Sequence, residues 1–182
     1  MKIEYVTGNR GKFEEAQLVL HGWDLEQVNL EIIEIQGDRF EIATAKARDA
    51  MRILGKPVIV EDVSLCFNAW NGMPGPYIKD FLQALGPAGL AELILKEKDH
   101  GVQAICVVAY VVPGSEPILF EGLTEGIVVR PRGTLSHGDV SFNSCFQPVG
   151  YTQTFGEMTM EEHSRMSMRR SALINLRKYL EN

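Results

Sequence analysis

Apolar and polar positions along this chain switch between two periods. Ile3 to Val6 is a short β-branched and aromatic run, the mark of a buried strand. From Phe13 the spacing becomes helical, with Phe13, Ala16, Gln17 and Leu20 on one face. Residues 25 to 35 alternate in part (Leu25, Val28, Leu30, Ile32, Ile33, Ile35), predicting a strand with room for a second short one after it. A helix is predicted from about Glu41 to Leu54, its apolar stripe formed by Ala43, Ala47, Ala50 and Leu54, and Gly55-Lys56-Pro57 ends it. Val58-Ile59-Val60 is continuously apolar, as in a central strand buried on both faces, and stops at Glu61-Asp62. The Gly- and Pro-rich stretch from Asn71 to Tyr77 is predicted to be irregular. A helix follows, carrying Ile78, Phe81, Leu82 and Leu85; Gly86-Pro87 breaks it, and Leu90 to Lys96 forms another. Residues 103–112 and 117–129 read as two long strands joined by a turn at Pro113-Gly114-Ser115. Arg130 to Gly133 opens a polar loop reaching Phe142. The final helix spans about Ser167 to Leu180, with Ala172, Leu173, Leu176 and Leu180 facing the core.

Composition narrows the classes open to such a chain. At 182 residues it can bury a real core, and 45% hydrophobic with 23% charged residues is the balance of a globular protein. A net charge of −6 argues against a broad nucleic-acid or membrane-surface role, while leaving room for a small anionic substrate held by local cations. No apolar run approaches the ~20 residues of a bilayer span, and the N-terminus enters a strand directly without a signal-peptide pattern. Cys66, Cys106 and Cys145 lack metal spacing and are expected to be buried thiols of a reducing compartment. A cytoplasmic protein is expected.

Candidate chemistry concentrates at a few junctions. Thr7-Gly8-Asn9-Arg10-Gly11-Lys12 links the first strand to the first helix and brings two glycines, a hydroxyl, an amide and two cations to a helix N-terminus. Orphan amides and the helix dipole favour an anion there, although the loop fits neither the Walker A nor the GxGxxG pattern and an ordinary strand-to-helix turn has the same composition. Lys46 lies at the edge of an apolar stripe, either snorkelling or functional. Glu61 and Asp62 end a buried strand, where open α/β sheets hold ligands, and adjacent strand residues point to opposite faces. Lys79 falls in the first turn of its helix, the wrong end for a cation unless an anion is near. Arg169 falls in the middle of the last helix's apolar stripe and requires a negative partner, a substrate or an internal carboxylate.

Taken together these segments carry a resemblance. Thr7-Gly8-Asn9-x-x-Lys12, Glu61-Asp62-x-Ser64-Leu65, Pro74-Gly75-Pro76-Tyr77-Ile78-Lys79, Cys145-Phe146-Gln147-Pro148-x-Gly150-Tyr151 and Ser167-x-Arg169 occur in that order. The chain resembles, over essentially its whole length, the inosine triphosphate pyrophosphatase or Ham1 family. The resemblance implies an α/β fold with a long mixed β-sheet and flanking helices, two lobes around a central nucleotide cleft, and a single domain over residues 1–182. It implies a homodimer that hydrolyses ITP, dITP or XTP to the monophosphate and pyrophosphate with Mg²⁺. Thr7, Gly8, Asn9, Arg10, Gly11 and Lys12 would hold the triphosphate with Lys46, and Glu34 and Asp62 would bind the metal. Asp62 would also activate the attacking water, and Lys79 and Arg169 would contact substrate. Such a set suits the chemistry, since Mg²⁺ takes one or two carboxylates plus phosphate oxygens and a leaving pyrophosphate needs distributed positive charge.

The departures fall on the base-reading side. Where the family has Phe-Gly-aromatic-Asp-Pro, this chain has Val140-Ser141-Phe142-Asn143-Ser144. The stacking aromatic becomes Val140 and the aspartate Asn143, which keeps an acceptor oxygen but loses the charge. A family lysine falls at His163, and the histidine of the Ser-His-Arg signature is Met168. Phe142, Asn143, His163 and Met168 are thus the expected base-side contacts, and selectivity is expected to be relaxed or shifted there. A nucleotide-binding or regulatory homologue with little catalysis is the competing expectation, against which Glu34 and Asp62 speak.

Overall fold

The computed structural model describes residues 2–134 and 141–182. In chain order these form β1 (Lys2–Val6), α1 (Arg10–Val19), β2 (Asp24–Val28), α2 (Arg39–Leu54), β3 (Val58–Phe67), β4 (Pro74–Gly75), α3 (Ile78–Ile94), β5 (Gly101–Val111), β6 (Ile118–Val128), β7 (Phe146–Pro148), α4 (Met160–Met166) and α5 (Met168–Leu180). Among the described residues the strands make one seven-stranded mixed sheet, ordered β2-β1-β3-β5-β6-β7 with β4 on β3. β1 pairs in parallel with both β2 and β3, whereas β4 and β7 pair antiparallel to β3 and β6. The α/β class and the long mixed sheet follow the expectation.

Two compact units divide the chain. The first comprises Met1–Asp62, Cys106–Gly122 and Met168–Asn182, and the second Val63–Ile105 and Leu123–Ser167. In the first unit, Ala43, Ala47 and Ala50 of α2 pack on Val6, Val58, Val60, Val107, Ala109 and Val111. Small residues on the helix face let it lie close to the β-branched sheet surface. Asp38 caps α2 through the Phe40 and Glu41 amides, while Glu41 returns a bond to the Asp38 amide, so the helix begins two residues before the expected start. In the same unit, a β-carbon on Gly122 would collide with the Met168 carbonyl and the Ala172 amide. Only glycine lets β6 and the first turn of α5 approach this closely.

In the second unit, Phe67, Trp70 and Phe81 form one aromatic group, and Phe142, Phe146, Phe155 and His163 form another with ring centroids 4.5–5.8 Å apart. Gly86 leaves helical geometry at φ 66°, so the predicted break between the two halves of α3 is present.

Several expectations need correction. β3 does not stop at Glu61-Asp62 but runs to Phe67, so both acids lie mid-strand; their charge is balanced by cations, and the ladder continues through them. β2 ends at Val28, and residues 29–35 form no strand. The segment from Asn71 to Tyr77 contains the two-residue β4. α1 starts at Arg10, capped by Asn9, and its buried face carries Glu15, Ala16 and Val19 while Gln17 is exposed. Cys106 and Cys145 are buried, but Cys66, on the part of β3 that pairs with β4, is only half buried. The short α4 escaped the sequence reading because its seven residues offer too few turns to show a period.

Candidate active site

Short contacts within the first unit fix the loop after β1. The Thr7 amide donates to the Val28 carbonyl at 2.9 Å, and the Gln27 side-chain amide donates to the Thr7 carbonyl at 3.0 Å. Thr7 Oγ1 accepts from the Asn9 amide, and Asn9 Oδ1 accepts from the Lys12 amide, both at 3.1 Å. The second bond is the N-cap of α1, leaving the Arg10 and Gly11 amides at the helix start for another acceptor. Gly8 passes against Asn29, whose Oδ1 would lie 2.9 Å from an added β-carbon. Arg10 extends into solvent and pairs with Glu14 at 2.7 Å.

β3 then presents its two acids to opposite faces, as strand geometry requires. Asp62 Oδ1 accepts from Lys46 Nζ at 2.8 Å, and the same ammonium meets Glu34 Oε1 at 2.9 Å. Lys46 therefore joins the two carboxylates expected to bind metal. Asp62 Oδ2 is buried without a hydrogen-bond partner among the described residues. Burial raises the Asp62 carboxyl above its ordinary value; Lys46 opposes this and Glu34 adds to it. Burial also works against the Lys46 ammonium, but Asp62 and Glu34 outweigh it and keep the ammonium charged.

Glu61, on the other face, accepts from the Tyr5 hydroxyl at 2.6 Å and from Arg169 Nε at 2.7 Å, both on Oε2. Its Oε1 lies 2.7 Å from Lys12 Nζ. Arg169 Nη1 in turn donates to Glu15 Oε2 at 2.9 Å. Burial penalises the charged Glu61 carboxylate, yet Arg169 and Lys12 outweigh it and hold its pKa well below the usual carboxylate range. Burial and the Glu61 charge push the Tyr5 hydroxyl well above its ordinary value, so it remains a donor.

Thr7, Gly8, Asn9, Gly11, Lys12, Glu34, Lys46, Asp62 and Arg169 thus share the first unit, with Met168 buried beside Arg169 at the start of α5. Tyr5, Glu15 and Gln27 were not singled out from sequence. Glu15 stands beside Ala16 on the helix face that the structure buries, but the sequence holds no signal that pairs it with Arg169.

A model of the Ham1 family matches residues 3–179. The chain belongs to the Ham1 family. It is 42% identical over 180 residues to an inosine triphosphate pyrophosphatase of Phaeosphaeria nodorum, covering 98% of this chain and 93% of that protein. An inosine triphosphate pyrophosphatase of Aspergillus fumigatus is likewise 42% identical, covering 100% and 96%. Among solved structures, a HAM1 protein from Coxiella burnetii superposes with a TM-score of 0.87 at 24% identity, covering 100% of this chain and 98% of that one. A nucleoside-triphosphatase, dITP/XTP pyrophosphatase, from Mycobacterium abscessus gives 0.72 at 26% identity, covering 97% and 98%.

The remaining expected contacts of this Ham1 chain belong to the second unit, and Val140 lies outside the described residues. Lys79 is exposed in the first turn of α3. Phe142 packs edge-on against Phe146, and the His163 ring is buried edge-on against Phe155. Asn143 is buried, its amide N–H donating to Ser141 Oγ at 3.1 Å, and its Nδ2 has no hydrogen-bond partner among the described residues.

Proposed function

We propose that this protein hydrolyses non-canonical purine nucleoside triphosphates such as ITP, dITP and XTP to the monophosphate and pyrophosphate, removing them from the nucleotide pool. The near-full-length likeness to proteins named inosine triphosphate pyrophosphatase supports this reading. The single structural observation that carries it is the Lys46 bridge between Asp62 and Glu34, beside a buried Asp62 oxygen without a hydrogen-bond partner among the described residues.

On this reading the Arg10 and Gly11 amides and Lys12 bind the phosphate chain, and Lys46 spreads positive charge towards it. Asp62 accepts the proton of the attacking water through its carboxylate. The donor set suits Mg²⁺, because two carboxylates with a spare oxygen leave the remaining positions to phosphate and water. Among the described residues no group of three or more His, Cys, Asp or Glu could hold a metal ion. Glu34 and Asp62 would hold Mg²⁺, which when bound supplies charge neutralisation on the phosphates. Met168 and Arg169 in the first unit, and Lys79, Phe142, Asn143 and His163 in the second, are further proposed substrate contacts. Residues 1–182 act as one catalytic domain, in a cytoplasmic homodimer whose three free thiols suit a reducing compartment.

A pyrophosphate-release screen across ITP, XTP, dITP, dUTP and the four standard triphosphates, with and without Mg²⁺, tests this. Turnover fastest on ITP, dITP or XTP is expected. Binding without turnover on any of them would replace the enzyme by a nucleotide-binding homologue.

A further inference from the structure

We infer that Glu61 is a positioning residue which, oriented by the Tyr5 hydroxyl and Arg169, holds the Lys12 ammonium where the loop 7–12 meets a phosphate chain. This rests on the triphosphate reading above but concerns Glu61 and Tyr5, to which that reading gives no role. Glu61 is 2% exposed at its side chain, whereas Lys12 is 28% exposed, so the pair joins a buried anion to a cation that reaches solvent. Lys12 lies in the first turn of α1, where the helix dipole repels a cation, so its place there depends on a carboxylate. Charge counting gives the same answer. Arg169 is already matched by Glu15, and Glu61 adds a second buried negative charge that Lys12 balances. Tyr5 and Arg169 occupy Oε2 at 2.6 and 2.7 Å, which fixes the carboxylate plane and turns Oε1 to Lys12. The Tyr5 ring sits 6.0 Å from Phe13, the residue after Lys12, so the orienting group and the oriented one share a packed neighbourhood.

Glu61 touches no reacting atom on this account; it acts through Lys12. The test is direct binding of inorganic tripolyphosphate in Mg²⁺ buffer by calorimetry, which needs neither a base nor turnover. Tyr5→Phe keeps the ring and removes one hydrogen bond. It should weaken tripolyphosphate about three- to tenfold, the span of a single net hydrogen bond. KM for ITP, XTP and GTP should rise by that same factor, leaving their selectivity ratios unchanged. In a Lys12→Met background the Tyr5→Phe effect should vanish, which a merely structural role would not produce. Glu61→Gln keeps the shape, drops the charge, and should weaken tripolyphosphate at least as much, providing a second variant if Tyr5→Phe folds poorly.

Unchanged tripolyphosphate affinity in folded Tyr5→Phe and Glu61→Gln would overturn the inference. So would a Tyr5→Phe effect that persists without Lys12, or a wild-type protein that does not bind tripolyphosphate. Tripolyphosphate binding with the expected losses but no turnover on any nucleotide would sustain it and remove the hydrolase reading instead.

Discussion

Glu61 and Asp62 stand side by side on β3 and are almost equally buried, at 8% and 7% exposure. Their surroundings nevertheless drive them in opposite directions. Glu61 meets two cations and a hydroxyl, with Arg169 shared with Glu15, and its pKa falls despite burial. Asp62 has one ammonium, shared with Glu34, and burial prevails. Burial depth is common to both, so the number of cations per carboxylate decides the sign. One acid is locked as a permanent anion that organises its neighbours. The other is a carboxyl that burial makes readier to hold a proton than an ordinary aspartate.

The largest effect should come from breaking the Asp62 side. On the proposed function, Asp62→Asn removes the proton acceptor and should lower kcat for pyrophosphate release by about 10²–10⁴-fold. Its unfolding midpoint should change little, because the lost carboxylate is one that burial disfavours. Full turnover in that variant would remove Asp62 from the chemistry.

Arg169→Met breaks the other side. It strands buried Glu15 and leaves buried Glu61 with only Lys12 and the Tyr5 hydroxyl, and should destabilise the protein by about 3–5 kcal/mol in urea unfolding. A loss below about 1 kcal/mol, the worth of an exposed pair, would mean that the cluster is solvated.

Acid titration sharpens the contrast. The folded Glu61 carboxyl lies below its ordinary value of 4.5, so as pH falls through that value the unfolded chain takes up a proton that the folded one refuses. The stability Glu61 contributes is complete above that pH and is lost progressively below it. Urea midpoints between pH 6 and 3 should therefore fall less steeply for Glu61→Gln than for the wild type. Equal slopes would show that Glu61 is not held ionised by the fold.

The smallest effect is expected at Arg10, in the same loop as Lys12 but paired with Glu14 in solvent. Arg10→Ala should cost no more than about 0.5 kcal/mol, measured by thermal unfolding. A larger loss would give the exposed pair a weight its surroundings do not explain.

Much of the fold was legible because periodicity reports burial directly. The Ala43-Ala47-Ala50 stripe, the Val58-Ile59-Val60 run and the long strands around Pro113-Gly114-Ser115 appear close to where their patterns place them. The end of β3 was misread because charge inside a strand looks like a boundary until its counter-ions are known. Arg169 was recognised as a buried cation in need of an anion, but one sequence cannot say which anion. Glu61 and Glu15 lie 108 and 154 positions away, and the spacing along the chain carries no trace of either contact.

By itself, then, the sequence determined the α/β class, the helix-start loop from Thr7 to Lys12 and the presence of acids and cations in excess of what a core tolerates. Those depend on local propensity, period and charge, which are written residue by residue. Only the tertiary structure decided the pairings: Lys46 between Glu34 and Asp62, and Glu61 among Tyr5, Lys12 and Arg169. The physical reason is that desolvation and Coulomb attraction depend on distance in space, so the character of each acid is set by neighbours that the fold brings in.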